Sequence, residues 1–305
     1  MVGREPPRQR GTAAATVRGG PRGLLAVRLP AAGRAGGAAI AAACAALALM
    51  AAAALLAPWL TAHDPVATDT SAVSLPPGTP GHPLGTDALG RDLAARMLFG
   101  ARSSLLVGVV AGAATVVLGT LLGGLAAVAP RPVDALITRT ADALLALPLV
   151  LVAMAIAAVA GSSFGTVVAA IAATAWMPVA LIARAEVGAL RERPFVRAAR
   201  GLGLSRTRVL TRHLLPGALP PIAAIAAFEV GHAVLTESTL SFLGIGVPAN
   251  RPSWGGLLAD ARSQMLSGQW YAVAVPAAAI VAAIIAVNVL ATAFDRHAAA
   301  AGRTW

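Results

Sequence analysis

The sequence predicts an all-α integral membrane protein with six transmembrane helices, and three observations carry that prediction. Hydrophobic residues make up 57% of the 305 residues and charged residues only 12%, about half the charged share of an ordinary soluble domain. Long stretches carry no charge at all: 35–62, 103–129 and 143–183. The remaining charges are lopsided, with 24 basic residues, every one of them Arg, against 13 acidic ones and a net charge of +11. A single soluble core of this size cannot bury that much apolar surface, which the mean hydropathy of +0.75 also reflects.

Residues 1–34 form an Arg-rich arm with Arg4, Arg8, Arg10, Arg18, Arg22, Arg28 and Arg34 against Glu5 alone. Its composition builds no core, so it is expected to be disordered. It is either a topology signal or an attractor for anionic lipid head groups. Residues 35–62 are the first transmembrane helix. Their 28 uncharged residues more than span a hydrocarbon core of about 30 Å at about 1.5 Å per residue. The run exceeds the roughly 7–15 residues of a signal-peptide core, so it is read as a retained span.

Residues 63–102 are expected outside the cytoplasm. Asp87 suits the cap of a short helix, Asp92 and Arg96 an i,i+4 pair, and Leu89, Leu93 and Met97 one shared side. This predicts an interfacial helix feeding the second span, which either anchors that span or meets a docked partner.

The core, 103–296, holds five more spans. The second, 103–129, carries the GxxxG pairs Gly108/Gly112 and Gly119/Gly123, which permit close helix approach. The uncharged run 143–183 is too long for one straight helix. It is read as the third and fourth spans, broken at Gly161-Ser162-Ser163-Phe164-Gly165. The fifth runs from near Pro216 to Leu240 and contains Glu229, His232 and Glu237; the sixth runs from about Trp270 to Phe294, and 297–305 is a tail. Pro148, Pro178 and Pro276 lie in or beside spans and are expected to kink them.

Six spans place both termini on one side. With the N-terminus cytoplasmic, 19 of the 24 Arg fall in cytoplasmic segments, and only Arg91, Arg96, Arg102, Arg251 and Arg262 fall outside. That is a strong positive-inside bias, so the N- and C-termini are expected to be cytoplasmic.

The longest cytoplasmic loop, 184–216, reads as structured. Pro194 suits a first helical position, and Phe195, Val196, Ala199 and Leu202 follow at roughly helical spacing. Gly201 and Gly203 end that helix, Ser205 caps a second one over 206–215, and Pro216 leads into the membrane. From these residues alone the loop is equally a partner-docking surface or a snorkelling, lipid-facing loop.

The stretch Phe195-Val196-Arg197-Ala198-Ala199-Arg200-Gly201-Leu202-Gly203, followed at fixed spacing by Leu215-Pro216, resembles the EAA loop of ABC-importer permeases. Arg197 stands where that family usually has Glu, and His213 where it has an aliphatic residue. Two further stretches are similar to the C-type permease of the dipeptide/oligopeptide/nickel importers. One is His82-Pro83-Leu84-Gly85-Thr86-Asp87-Ala88-Leu89-Gly90-Arg91-Asp92; the other is Ser241-Phe242-Leu243-Gly244 with Trp254-Gly255. The resemblance covers about 82–296. It implies the type I ABC-importer permease architecture in a bacterial inner membrane. The implied partners are a homologous B-type permease, two cytoplasmic ATPase subunits, an extracytoplasmic solute-binding protein and membrane lipid. The loop is then the coupling helix seated on an ATPase subunit, and Arg197 reverses a charge at that contact.

Glu229 and His232, three apart on one helical face with Glu237 near it, either line the pathway and meet a peptide amino group or a metal cation, or form a packing network. No catalytic residue, cofactor or metal site is expected. The five His show no H-E-x-x-H spacing, no G-x-S-x-G occurs, and the lone Cys44 makes no cluster. The absence of Lys removes P-loop, Schiff-base and Ser–Lys chemistry. The Arg-rich segments flank spans on one side, which topology explains better than nucleic acid. The alternatives to a permease are a non-transporting scaffold that docks a cytoplasmic partner and a membrane-embedded enzyme using Glu229 and His232.

Overall fold

The computed structural model describes residues 34–248 and 250–301, and all of the described secondary structure is helical apart from two isolated bridges. The arm before Arg34 and the last four residues lie outside the described residues. Two compact units divide between Gly37 and Ala38, and the second holds the helical core.

The first helix, α1, spans Arg34–Leu60. α2 runs Leu93–Val128, α3 Arg131–Leu145, α4 Leu149–Ala160 and α5 Phe164–Arg191. α6 (Pro194–Gly201) and α7 (Arg206–Val209) follow, then a π-helical turn over Leu210–Leu214. α8 covers Leu215–Phe242, α9 Trp254–Leu266 and α10 Tyr271–Ala301. Five helices are long and apolar enough to cross a membrane, and α3 with α4 makes a sixth if that bent pair counts as one span. Large apolar side chains point outward along them, Leu49, Leu106, Leu121 and Ile285 among them, as lipid-facing helices require.

The second span is longer than its uncharged run. At 36 residues α2 absorbs the expected interfacial helix into one rod of about 54 Å. Asp92, rather than Asp87, is its N-cap, accepting from the Ala95 N–H at 2.6 Å. The expected Asp92–Arg96 pair is absent from the described contacts, because the capping geometry aims Asp92 at its own helix end and at His82. Leu89 lies outside the helix and is exposed, so it does not join Leu93 and Met97 on one side.

The third span is also not a straight helix. α4 has 12 residues, about 18 Å, and meets α3 at a bend of 95°. Pro148 holds extended backbone at the bend, and a residue preceding proline is itself steered away from helical backbone. α3 lays Ile137, Ala141 and Leu144 against Trp176, Met177 and Ala180 of α5. Arg184 of α5 then grips Asp134 of α3 through Nε and Nη2, the latter at 2.7 Å.

The centre is built on α2. Gly119 and Gly123 bring it against Trp176, Val179 and Ala180 of α5, where a Cβ on Gly119 would stand 2.8 Å from the Trp176 carbonyl. Gly108 and Gly112 face Val230 and Val234 of α8 in the same way. Both GxxxG pairs are therefore contact surfaces.

The expected second loop helix over 206–215 is not separate. α7, the π turn and α8 are continuous, and Thr207–Phe242 forms a single apolar helix of 36 residues. The π turn is closed by the Leu215 N–H on the Leu210 carbonyl.

Candidate functional site

At one end of α2, the segment between α1 and α2 folds into a cap tied by buried polar groups. Thr86 is fully buried; its hydroxyl donates to the Ala72 carbonyl and accepts from the Leu75 N–H at 2.8 Å. Asp87 accepts from the Leu89 and Arg91 backbone N–H groups, both at 2.9 Å, and from Arg91 Nε at 2.6 Å. Arg96 also reaches Asp87. Asp260 of α9 completes the cluster, with Arg91 at 2.8 Å and Arg96 at 2.7 Å. Burial alone raises the Asp87 carboxyl, but the N–H groups of Arg91 and Leu89 and the charges of Arg96 and Arg91 outweigh it, so it sits below its ordinary 3.8. Gly85 and Gly90 pass against the backbones of Leu75–Pro77 and Asp69.

The motif after α8 serves the same end. Ser241 donates to Glu237 Oε1 at 2.7 Å and accepts from the Val247 N–H at 3.1 Å. Arg262 sits over the Phe242 ring at 3.8 Å and donates to its carbonyl. Leu243 is exposed, and Gly244 ends the helix with a left-handed backbone. Trp254 is buried and donates its indole N–H to the Met97 carbonyl at 3.2 Å. Gly255 packs on the Ser238 backbone.

Glu237 does not face open space. It is fully buried, with Ser104 donating to it at 3.0 Å and Ser241 at 2.7 Å. Ser104 also accepts the Trp254 N–H at 3.1 Å, so one carboxylate and one hydroxyl join α2, α8 and α9. Of the two readings the sequence left open for Glu237, pathway lining or a packing network, these contacts support packing, because its oxygens are already used. Glu229 and His232 differ. The Glu229 side chain is 11% exposed and His232 54%, and His232 Nδ1 stands 3.9 Å from Glu229 Oε2, too far for a direct hydrogen bond. A buried acid and an exposed base therefore lie one helical turn apart in the middle of α8.

The other end of α2 carries the loop. Pro194 opens α6, as its fixed φ predicts. Val196 is its anchor, fully buried with Ala183, Val187, Val209, Leu214 and Ala218. The rest of the apolar set does not go inward: Phe195 is 52% exposed and Leu202 82%. Ala198 is exposed and Ala199 half-buried. Gly203 takes φ +84°, an added Cβ there would meet none of the described atoms within 4 Å, and Ser205 accepts from the Arg208 N–H at 3.3 Å. Among the described residues Arg197 pairs with Glu192, at 3.3 Å on the surface, and Arg191 donates to the Ala127 carbonyl at the end of α2. Leu215 is half-buried and Pro216 exposed at the base of α8. Of Arg200 only the backbone, within α6, is described.

Two features escaped the sequence pattern. Asp260, the shared partner of Arg91 and Arg96, lies far away in the chain and belongs to no motif. His63, His82 and Asp92 each bring one potential ligand atom within 4.8 Å of the others, although their spacing suggested no cluster.

Comparison with known proteins agrees with this architecture. The family described as binding-protein-dependent transport system inner membrane component matches residues 85–300. A Brucella suis protein, provisionally named a peptide transport system permease protein, is 40% identical over 239 residues, covering 78% of this chain and 79% of the relative. The "Probable D,D-dipeptide transport system permease protein DdpC" of Escherichia coli is 37% identical over 234 residues, 77% of this chain and 78% of the relative. Dipeptide transport system permease protein DppC of Bacillus subtilis is 34% identical over 237 residues, 78% and 74%. With a family match over most of the chain, and relatives aligned along most of their own length, this chain belongs to the inner membrane components of binding-protein-dependent transport systems, as a multi-pass ABC-importer permease.

Proposed function

We propose that this permease carries a peptide, or a related small solute such as nickel, and that the loop around Pro194–Pro216 couples it to cytoplasmic ATPase subunits. A homologous permease forms the other half of the pathway, and a solute-binding protein delivers the cargo to the face carrying the His82–Asp92 cap. The names of the relatives support the peptide class. In this reading the Pro194 end faces the cytoplasm, as the Arg distribution favours.

One observation carries the coupling role. α6 is pinned to the base of α8 by Val196, while Phe195 and Leu202 stay exposed beside Arg197. A partner that covers Phe195 and Leu202 removes apolar surface from water and pulls on α6. α6 cannot move far without α8, because Val196 shares its cluster with Val209, Leu214 and Ala218. The continuous Thr207–Phe242 helix carries that displacement to Glu229 and His232. Transport is driven only if the two ATPase states bind this loop with different affinity. Glu229 and His232 then line the pathway, where a carboxylate suits a peptide ammonium or a metal cation.

The test is a detergent pull-down of the tagged chain combined with transport in vesicles. An ATPase and a second permease are expected with the intact chain and lost when Arg191–Ser205 is scrambled. Gly203→Trp, or deletion of Ala198 and Ala199, is expected to abolish uptake while membrane insertion persists. Normal uptake by these variants overturns the coupling role. Docking of a partner without ATP-dependent uptake favours a scaffold, and chemical turnover by the chain alone favours an enzyme.

A further inference from the structure

We propose that His63, His82 and Asp92 form a binding site for a borderline divalent cation of the zinc, copper(II) or nickel(II) class. The site lies at the cap end of α2, away from Glu229 and His232. It does not depend on what the permease transports.

The three side chains come from the chain just past α1, the loop before α2 and the N-cap of α2. One ligand atom from each lies within 4.8 Å of the other two. The imidazole rings stack, with centroids 4.8 Å apart and planes 28° from parallel. His82 Nδ1 and Asp92 Oδ2 are 2.8 Å apart. A tetrahedral site with bonds of about 2.1 Å has ligand atoms about 3.4 Å apart. The observed separations bracket that value, so the His82–Asp92 pair opens slightly and the His63 ring turns inward. His63 is exposed at the surface and can turn.

The surroundings supply the orienting contacts that metal ligands use. The Gly81 carbonyl lies 3.0 Å from His63 Nε2. A carbonyl only accepts, so Nε2 carries the proton and Nδ1 keeps its lone pair. Asp92 Oδ1 is held by the Ala95 N–H at 2.6 Å, which leaves Oδ2 to the His82 side. An ion then occupies the position of the proton between His82 Nδ1 and Asp92 Oδ2. His82 carries its proton on Nε2, His63 supplies the third ligand, and water takes the remaining position. Two imidazoles and one carboxylate suit borderline ions better than magnesium or calcium, which prefer all-oxygen shells.

The His82–Asp92 pair explains itself without an ion, since it ties the loop to the start of α2. His63 does not. It lies 19 residues before His82, is exposed, and places a second imidazole against the first. The same residue lines a cavity of about 740 Å³ with Phe99, Arg102 and Arg251, so an ion at this point is reachable from solvent.

The test is titration of the full chain in detergent with Zn²⁺, and with Co²⁺ as a spectroscopic probe. One equivalent is expected to bind, with visible Co²⁺ bands of a low-coordinate nitrogen/oxygen site and no comparable response to Mg²⁺. His63→Ala is expected to weaken binding at least tenfold and leave the helical circular dichroism and gel-filtration profile unchanged. Asp92→Asn keeps the helix cap but removes the anionic ligand, and is expected to weaken binding at least as much as His63→Ala. No saturable Zn²⁺ or Co²⁺ binding, or binding of equal affinity in well-folded His63→Ala, overturns the proposal.

Discussion

Arg96 Nη2 and Asp260 Oδ2 stand 2.7 Å apart across 164 residues of chain. Arg96 is almost fully buried and its other arm reaches Asp87, so one guanidinium joins the cap before α2 to α9. Asp260 takes Arg91 as well, which closes a four-member network of two Arg and two Asp. Two cations against two carboxylates make the cluster neutral, which is the condition for burying it at all. Asp87 and Arg91, two of the three charges of the Gly85–Asp92 motif, are thus consumed in holding the cap.

Arg96→Ala is expected to destabilise the protein by about 1.5–3 kcal/mol, because the buried Asp87 carboxylate loses one of its two guanidinium partners and keeps Arg91. Asp260→Asn is expected to cost far less, since Asp260 is 42% exposed and water replaces its partner. Thermal unfolding of both variants in one detergent measures the difference. Equal losses contradict the assignment of Asp87 as the buried centre.

The same network fixes a pH dependence. The Asp87 carboxyl is depressed when folded, so its stabilisation is complete above its ordinary 3.8 and is lost as pH falls through the lower folded value. The melting temperature is expected to be insensitive to this group between about pH 7 and 5 and to fall below about pH 4. In Asp87→Asn the midpoint is expected to start lower at neutral pH and to fall less steeply under acid. An identical acid slope in both proteins refutes the assignment.

Ser104→Ala is expected to cost about 1–3 kcal/mol although it deletes one oxygen. That hydroxyl donates to Glu237 and accepts from the Trp254 N–H, so both lose a partner in a dry site. Glu237→Gln preserves most of the shape and is expected to be milder than Glu237→Ala. Melting curves of the three variants rank them, and a neutral Ser104→Ala means that the site is wetter than the packing indicates.

The long helices were legible in the sequence because a bilayer demands uninterrupted apolar runs and the chain supplies them. The break at Gly161 was legible for the same reason, since 41 uncharged residues exceed any span. The bend between α3 and α4 was legible in its place, since Pro148 was expected to kink its span, but not in its size of 95°. Leu144 to Leu149 is apolar on both sides of Pro148, and charge counting cannot see a change of direction. The merger of the interfacial helix with α2 was missed because Asp87 and Asp92 are both good caps on paper, and only the fold decides which one points at free N–H groups. The loop residues and Glu229 with His232 were singled out from the sequence. Asp260 and the His63–His82 stack were not, because their meaning depends on partners far along the chain.

The glycines give the sharpest contrast between a contact and an empty surface. Gly123 lies against the Ala180 backbone, so Gly123→Ala forces α2 and α5 apart or strains both. The expected cost is about 1–3 kcal/mol, the usual price of overpacking. Gly188 lies in α5 with nothing within 4 Å of an added Cβ. Gly188→Ala is expected to be neutral or to stabilise by up to about 1 kcal/mol, because alanine has less backbone freedom to lose. Gly203 is a third case: its surroundings are equally open, yet its φ of +84° disfavours any Cβ. Gly203→Ala is expected to cost about 1 kcal/mol through the backbone alone. The order Gly123→Ala, Gly203→Ala, Gly188→Ala in melting temperature, from lowest to highest, separates steric contact from backbone strain. Reversal of the first and last places means that α2 and α5 do not approach as closely as their glycines allow.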